Sequence, residues 1–211
     1  MMQSIYTYPG TDVLKNKPGI QDQEKLSLFE DIVSSRRIAQ MYLKPMRGKL
    51  DLGHLQNIHY HVFQDVYPFA GQLRKENIAK DTFSFADSRF IEDAGRELFS
   101  GLAKENFLLN TPADQFSDRA AHYMAEINVL HPFREGNGRT QREFIRQLAA
   151  HSGYEVDWTR VDKDIALRAS IRSVADTKEL SKVIGDSLVN HIPDQAIRER
   201  YLRAGDRDRS R

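Results

Sequence analysis

The sequence predicts an all-α protein with one small β-hairpin, and three features support this fold class. Apolar residues recur at helical spacings of three and four through most of the chain. Residues 72–85 lack that spacing and contain the β-branched and aromatic side chains of a short hairpin. The chain has 211 residues, enough to bury a core without disulfides. It has no cysteine, so no thiolate metal site is possible. This length suits one domain or two small ones.

Seven helices are predicted from the apolar periodicity. They lie at about residues 22–42, 52–66, 90–106, 111–130, 138–151, 161–174 and 177–192. The apolar side of the first helix is formed by Leu26, Phe29, Ile32 and Val33. The fourth helix should be largely core, because Phe116, Ala120, Tyr123, Met124 and Ile127 recur at spacings of three and four. The fifth is expected to turn Phe144, Ile145 and Leu148 inward.

Capping residues predict where two of these helices end. Thr111 followed by Pro112 is typical of an N-cap with proline at the first helical position. The same helix should end near Leu130, because a proline follows at position 132. Gly153 is the predicted C-cap of the next helix.

The last segment of the chain is basic. From residue 196 onward six arginines stand against three acidic residues, whereas the whole chain has a net charge of +1. Residues 194–211 are therefore predicted to be a disordered, solvated tail. A nearly neutral domain gives little electrostatic attraction for nucleic acid, so no direct nucleic-acid partner is expected. No run approaches the roughly 20 apolar residues of a membrane span, and the N-terminus lacks an apolar signal core.

The segment His131–Arg142 reads His-Pro-Phe-Arg-Glu-Gly-Asn-Gly-Arg-Thr-Gln-Arg and combines groups suited to phosphate chemistry. His131 can accept a proton near neutral pH. Glu135 can hold Mg²⁺ together with phosphate oxygens and waters. A helix is predicted to begin at the glycines, and a helix N-terminus presents free N–H groups and partial positive charge to an anion.

The glycines and arginines of this segment complete a predicted anion site. Gly136 and Gly138 let the backbone turn sharply and approach a ligand closely. Asn137 tolerates positive φ and can donate to a phosphate oxygen. Arg139 and Arg142 lie three residues apart, so they are expected to share one face of the first turn and to bind phosphates. These groups together predict in-line attack of a hydroxyl on phosphorus.

Eight positions of this segment resemble the signature of the Fic (filamentation induced by cAMP) family, His-x-Phe-x-Asp/Glu-Gly-Asn-Gly-Arg-x-x-Arg, with no departure. The run Tyr67–Arg74 resembles the family's approach to its flap hairpin, and Glu126–Leu130 resembles the run into the motif. The resemblance spans roughly Tyr6 to His191. It implies a Fic domain at 1–193 with its core at about 50–175.

The resemblance implies a protein adenylyltransferase that moves AMP from ATP to a tyrosine, serine or threonine hydroxyl. It makes His131 the catalytic base and Glu135 the Mg²⁺ ligand. The ATP-binding residues that it implies are Gly136, Asn137, Gly138, Arg139 and Arg142. The flap residues that it implies for target binding by strand addition are Ile78, Lys80, Asp81 and Thr82. The predicted helix at 161–174 would contribute to the adenine pocket.

Many members of the family are silenced by a helix with the pattern Ser/Thr-x-x-x-Glu-Gly/Asn, whose glutamate pairs with the second motif arginine. Glutamate precedes glycine or asparagine at Glu76, Glu105 and Glu135, and none of these has Ser or Thr four residues earlier. The resemblance therefore implies a small separate antitoxin that supplies the glutamate to Arg142. The expected targets are a type II topoisomerase subunit or a host GTPase. The expected location is the bacterial cytoplasm, or a host cell for a secreted effector.

Two alternatives to AMP transfer stay open. Some relatives transfer UMP, phosphocholine or phosphate, although the phosphate type alters the glycine-rich turn that is intact here. Degenerate members bind nucleotide or protein without catalysis, but they usually lose a motif residue that this chain retains. Both a whole toxin and a fragment of a longer protein fit the sequence.

Overall fold

The computed structural model describes residues 3–80 and 83–204, which form a bundle of eight helices with one two-stranded hairpin. The helices are α1 (Gln23–Leu43), α2 (Leu52–Phe63), α3 (Ile91–Lys104), α4 (Ala113–Leu130), α5 (Asn137–His151), α6 (Lys163–Arg172), α7 (Lys178–Ser187) and α8 (Gln195–Ala204). The strands are β1 (Ala79–Lys80) and β2 (Phe83–Ser84). The predicted fold class is confirmed. In the described ranges no helix has both the length and the apolarity to cross a membrane.

Helix α5 lies at the centre of the bundle and packs against α2, α4 and α8. Its inward residues Phe144, Ile145 and Leu148 have no exposed surface. Helix α4 packs against α5 on one side and α7 on another. The segment between Leu130 and Asn137 therefore joins two core helices, and both of its ends are fixed by packing.

Helix α1 buries a partly polar face. Its buried residues are Leu26, Glu30, Ser34 and Met41. Ile32, predicted to lie on the apolar side, is 62% exposed. The predicted side is right for Leu26, Phe29 and Val33, which pack on the core, and wrong for Ile32. Apolar spacing did not show that Glu30 and Ser34 also face inward, where both contact Arg139 of α5.

The ends of two helices differ from the prediction. Helix α4 begins one residue later than expected, and the Thr111 hydroxyl does not cap it, because it donates to the carbonyl of Leu108 at 2.7 Å instead. Helix α7 ends at Ser187 rather than near 192, because Leu188 turns into an extended conformation and forms a bridge with Val156. Gly153 follows α5 with a φ of +88°, as a glycine after a helix C-terminus should.

The predicted disordered tail is wrong for residues 195–204, which form α8 and pack against α5. Tyr201 is 2% exposed, and its ring lies 6.1 Å from that of His151 at the end of α5. High charge favoured disorder, but one buried aromatic side chain docks the helix while Arg200 and Arg203 stay exposed. Residues 205–211 of the predicted tail lie outside the described residues.

The predicted hairpin is present at 79–84. Strands β1 and β2 pair antiparallel, with Ala79 opposite Ser84 and Lys80 opposite Phe83. Ile78 precedes β1 and Phe85 follows β2, and the Phe85 N–H donates to the Ile78 carbonyl at 3.3 Å. Asp81 and Thr82, two of the four predicted flap residues, lie outside the described residues.

Candidate active site

A cavity of about 640 Å³ lies where α4 ends and α5 begins, a size typical of small-molecule sites. One part of its wall carries charged and polar groups from the hairpin, the loop after α4 and the start of α5. These are Lys80, His131, Arg134, Glu135, Asn137, Gly138 and Arg142. Another part, from α4, α6, α7 and the turn before α6, is largely apolar. Its residues include Met124, Trp158, Leu167, Ile171, Leu180 and Val183. The cavity therefore suits a ligand with an anionic part and an apolar part.

His131 terminates α4 in a left-handed conformation, with a φ of 43°. Its Nδ1 lies 3.3 Å from the carbonyl oxygen of Asn128, and a carbonyl only accepts, so the ring proton is on Nδ1 and the Nε2 lone pair is free. The ring of Phe85 stacks on the imidazole with centroids 3.8 Å apart. Burial, partly opposed by the hydrogen bond to Asn128, lowers the pKa of His131 to about 4. The imidazole is thus neutral at physiological pH and can accept a proton.

The side chain of Asn137 closes the loop on itself. Its Oδ1 accepts from the Phe133 N–H at 2.9 Å, and its Nδ2 donates to the Phe133 carbonyl at 2.8 Å. The amide Nδ2 has a second N–H, so donation to a phosphate oxygen stays a prediction. Asn137 can therefore offer a ligand its backbone N–H and one amide N–H.

Gly136 and Gly138 meet different requirements. Gly136 has a φ of +79°, and a Cβ there would lie 2.3 Å from the ring of Phe63. Only glycine fits this position without a shift of the ring. Gly138 lies in the first turn of α5, where a Cβ would meet only the Arg142 guanidinium at 3.6 Å. The backbone N–H groups of residues 137–139 precede Thr140, whose N–H donates the first intrahelical bond, to the Gly136 carbonyl.

The two motif arginines have different surroundings. Arg139 pairs with Glu30 of α1, donates to the Ser34 hydroxyl at 3.0 Å and lies over the ring of Phe63. It is absent from the cavity wall. Arg142 lines the cavity and is exposed, and among the described residues no carboxylate pairs with it. Arg142 is therefore the motif arginine that is available to an anion in this arrangement.

Glu135 carries a carboxylate on the cavity wall next to the first turn of α5. Its Oε1 accepts from the Gly136 N–H at 2.8 Å, which leaves Oε2 for another partner. Among the described residues no cluster of three or more His, Cys, Asp or Glu side chains could enclose a metal. A cation held here would take its other ligands from phosphate oxygens and waters, as Mg²⁺ commonly does.

The structure adds a residue that sequence reasoning did not assign. His59 on α2 lies beneath the loop, with its ring stacked on Phe133 at a centroid distance of 3.9 Å. Its Nδ1 accepts from the Gly71 N–H at 2.8 Å, so its Nε2 donates to the Glu135 carbonyl at 2.9 Å. Burial lowers the pKa of His59 to about 4, so the ring stays neutral and keeps this tautomer. No local pattern in the sequence indicated this role.

Of the predicted flap residues, Lys80 lines the cavity and Ile78 does not. Phe83 and Phe85 also line it. Helix α6, within the predicted helix at 161–174, supplies Ala166, Leu167, Ser170 and Ile171 to the wall, and its contribution to an adenine pocket stays a prediction.

Comparisons with known proteins agree with this geometry. A family model described as Fic/DOC family matches residues 49–149. The protein adenylyltransferase VbhT of Bartonella schoenbuchensis is 43% identical over 204 residues, which cover 93% of this chain and 43% of VbhT. The protein named probable protein adenylyltransferase Fic of Escherichia coli is 39% identical over 160 residues, which cover 75% of this chain and 78% of that protein. This chain thus spans less than half the length of VbhT.

A solved structure has the same architecture. The N-terminal Fic domain of a VirB-translocated effector from Bartonella quintana, with bound ADP, superposes with a TM-score of 0.81 at 26% identity. The alignment covers 91% of this chain and 96% of that one.

Proposed function

This chain belongs to the Fic/DOC family, and we propose that it is a protein adenylyltransferase that moves AMP from ATP to a Tyr, Ser or Thr hydroxyl of a target protein. The observation that carries the proposal is the neutral His131, with a free Nε2, on the wall of a cavity that also holds an anion site. The relatives VbhT and Fic are named as adenylyltransferases, and the related effector domain binds ADP, which supports a nucleotide substrate.

In the proposed reaction the target hydroxyl oxygen attacks the α-phosphorus of ATP. Its proton passes to Nε2 of His131 as the new phosphorus–oxygen bond forms. The bond from the α-phosphorus to the β-bridging oxygen breaks, and pyrophosphate leaves with that electron pair. The N–H groups at the start of α5 and the Arg142 guanidinium stabilise the negative charge on the phosphates. Helix α1 contributes indirectly, because Glu30 fixes Arg139 and with it the first turn of α5.

Glu135 fits a role as the protein ligand of Mg²⁺, because one of its carboxylate oxygens is free and lies on the polar wall. Bound there, the ion would neutralise charge on the phosphates. The hairpin would hold the target as an added strand, with Lys80 near the nucleotide; Ile78, Asp81 and Thr82 complete the flap set of this proposal.

We also propose that a small antitoxin protein silences the enzyme by placing a glutamate against Arg142. The proposal is supported by the exposed Arg142 side chain, which has no carboxylate partner among the described residues. The target would be a type II topoisomerase subunit if the protein acts in the bacterial cytoplasm, or a GTPase if it acts in a host cell. Inhibition should be lost in Arg142→Ala that still binds ATP. Undiminished inhibition of that variant would rule out this mechanism.

Label transfer tests the main proposal. Incubating the purified chain with Mg²⁺, a cell lysate and ATP labelled in the α-phosphate should mark a distinct protein. His131→Ala should abolish the labelling, whereas His122→Ala, outside the cavity wall, should retain it. Equal labelling by His131→Ala would disprove the assigned base. The mass added to the target distinguishes AMP from UMP, phosphocholine or phosphate.

A further inference from the structure

Arg74 is a buried cation that the proposed reaction does not use. Arg74 is 2% exposed and lies just before the hairpin. The guanidinium donates to four backbone carbonyl oxygens. These belong to Glu76 (2.7 Å), Ala86, Leu130 (3.3 Å) and His131 (2.8 Å).

The backbone of Arg74 contributes a further contact. Its N–H donates to the Pro132 carbonyl at 2.9 Å. Arg74 therefore binds the carbonyls of three consecutive residues, from Leu130 to Pro132, at the point where α4 ends. The negative end of the helix dipole at this point favours a cation, and among the described residues no carboxylate pairs with it.

Two functional segments meet at this side chain. One is the end of α4, where His131 holds a φ of 43° that non-glycine residues seldom adopt. The other is the root of the hairpin, because Glu76 and Ala86 bracket residues 77–85. The Ala86 N–H also donates to the Val129 carbonyl at 3.1 Å, and Phe85 beside it stacks on His131. The base and the hairpin root thus share one set of contacts.

We propose that Arg74 is a positioning residue that holds the imidazole of His131 and the root of the hairpin in one fixed geometry. This inference rests on the proposed function, in which the hairpin presents the target hydroxyl to His131. A guanidinium suits the task, because its planar fork of five N–H groups reaches carbonyls in several directions at once. A lysine ammonium has three donors at one point and cannot span the same set.

Arg74 does not line the cavity. A change at Arg74 should therefore slow transfer without weakening the binding of the nucleotide. Arg74→Lys should transfer label from ATP to the band labelled by the wild-type protein about 100-fold more slowly. Its affinity for Mg²⁺-ATP, measured by calorimetry, should stay within about threefold of the wild-type value, since the anion site is untouched. Arg89→Lys is the matched control, because Arg89 also lies near the hairpin but is 76% exposed and pairs with Asp87.

NMR of the histidine ring signals gives a readout that does not depend on transfer. Arg74→Lys should change the His131 ring signals, and Arg89→Lys should leave them at their wild-type positions. If the wild-type protein labels nothing, the proposed function fails, and the ring signals still decide whether Arg74 positions His131. Wild-type transfer by Arg74→Lys, unchanged ring signals, a parallel loss of ATP affinity, or a failure of this variant to fold would each overturn the proposal.

Discussion

The ring of Phe85 stacks on the imidazole of His131, with centroids 3.8 Å apart and planes 22° apart. Phe85 follows β2 directly, so the element proposed to bind the target also covers the proposed base. This contact helps to bury the imidazole, and burial is the main reason why the pKa of His131 falls to about 4.

Removing this ring should change the pH dependence of transfer. In Phe85→Ala the pKa of His131 should rise toward its ordinary value of about 6.5. The base acts when unprotonated, so the wild-type rate should be flat from pH 5 to 8. The variant rate should fall below pH 6.5, to about a tenth of its plateau at pH 5.5. Phe90→Ala, 58% exposed on the surface, is the control and should keep the wild-type profile. A flat Phe85→Ala profile would contradict the prediction.

Alanine substitutions at Gly136 and Gly138 should affect different properties, stability in the first case and ATP affinity in the second. Gly136→Ala should destabilise the protein by about 1–3 kcal/mol, because its Cβ would enter the ring of Phe63 at positive φ. Gly138→Ala should keep nearly wild-type stability, since helical φ and the available space admit a methyl group. That methyl would face the cavity, so ATP affinity should drop about tenfold or more. Thermal unfolding and ATP titration of both variants check this, and equal stability losses would count against it.

The buried pair of Glu30 and Arg139 should stabilise the contact of α1 with α5. Their side chains are 10% and 21% exposed, whereas Asp31, which also contacts Arg139, is 77% exposed. Glu30→Gln should cost about 1–3 kcal/mol, because Arg139 keeps only weaker partners, and Asp31→Asn should cost less than about 0.5 kcal/mol. Urea unfolding measures both. A larger loss in Asp31→Asn would show that the exposed carboxylate is the main partner.

Acid should weaken the fold through His59. Its folded pKa of about 4 lies below the unfolded value of about 6.5, so the unfolded chain binds more protons between these values. Stability should therefore be unaffected by this group above pH 6.5 and should fall as pH drops toward 4, by at most about 3 kcal/mol. His59→Gln keeps a donor for the Glu135 carbonyl without titrating, so its free energy of unfolding should fall less steeply over this range. Parallel curves for the two proteins would argue against His59 as the cause.

The sequence predicted the backbone of the segment from His131 to Arg142 well, because that backbone is decided locally. His131, Glu135 and the glycines lie within a few residues of one another, so their order alone predicts a helix end, a tight turn and a helix start. Phe85 and Lys80 were harder to assign, because a two-residue strand has too few positions to establish a pattern. The polar face of α1 was missed because its partner, Arg139, is about a hundred residues away in sequence.

The sequence by itself determined the fold class, the family resemblance and the identity of the groups in the loop. Only the tertiary structure decided how those groups are used. It assigned Arg139 to α1 and left Arg142 at the cavity, engaged the Asn137 amide within the loop, docked α8, and placed Arg74 between the hairpin and His131. The physical reason is that backbone preferences act between neighbouring residues and can be read from local order. Burial and pairing depend on which distant segments pack together, and a buried polar group takes whichever partner that packing supplies.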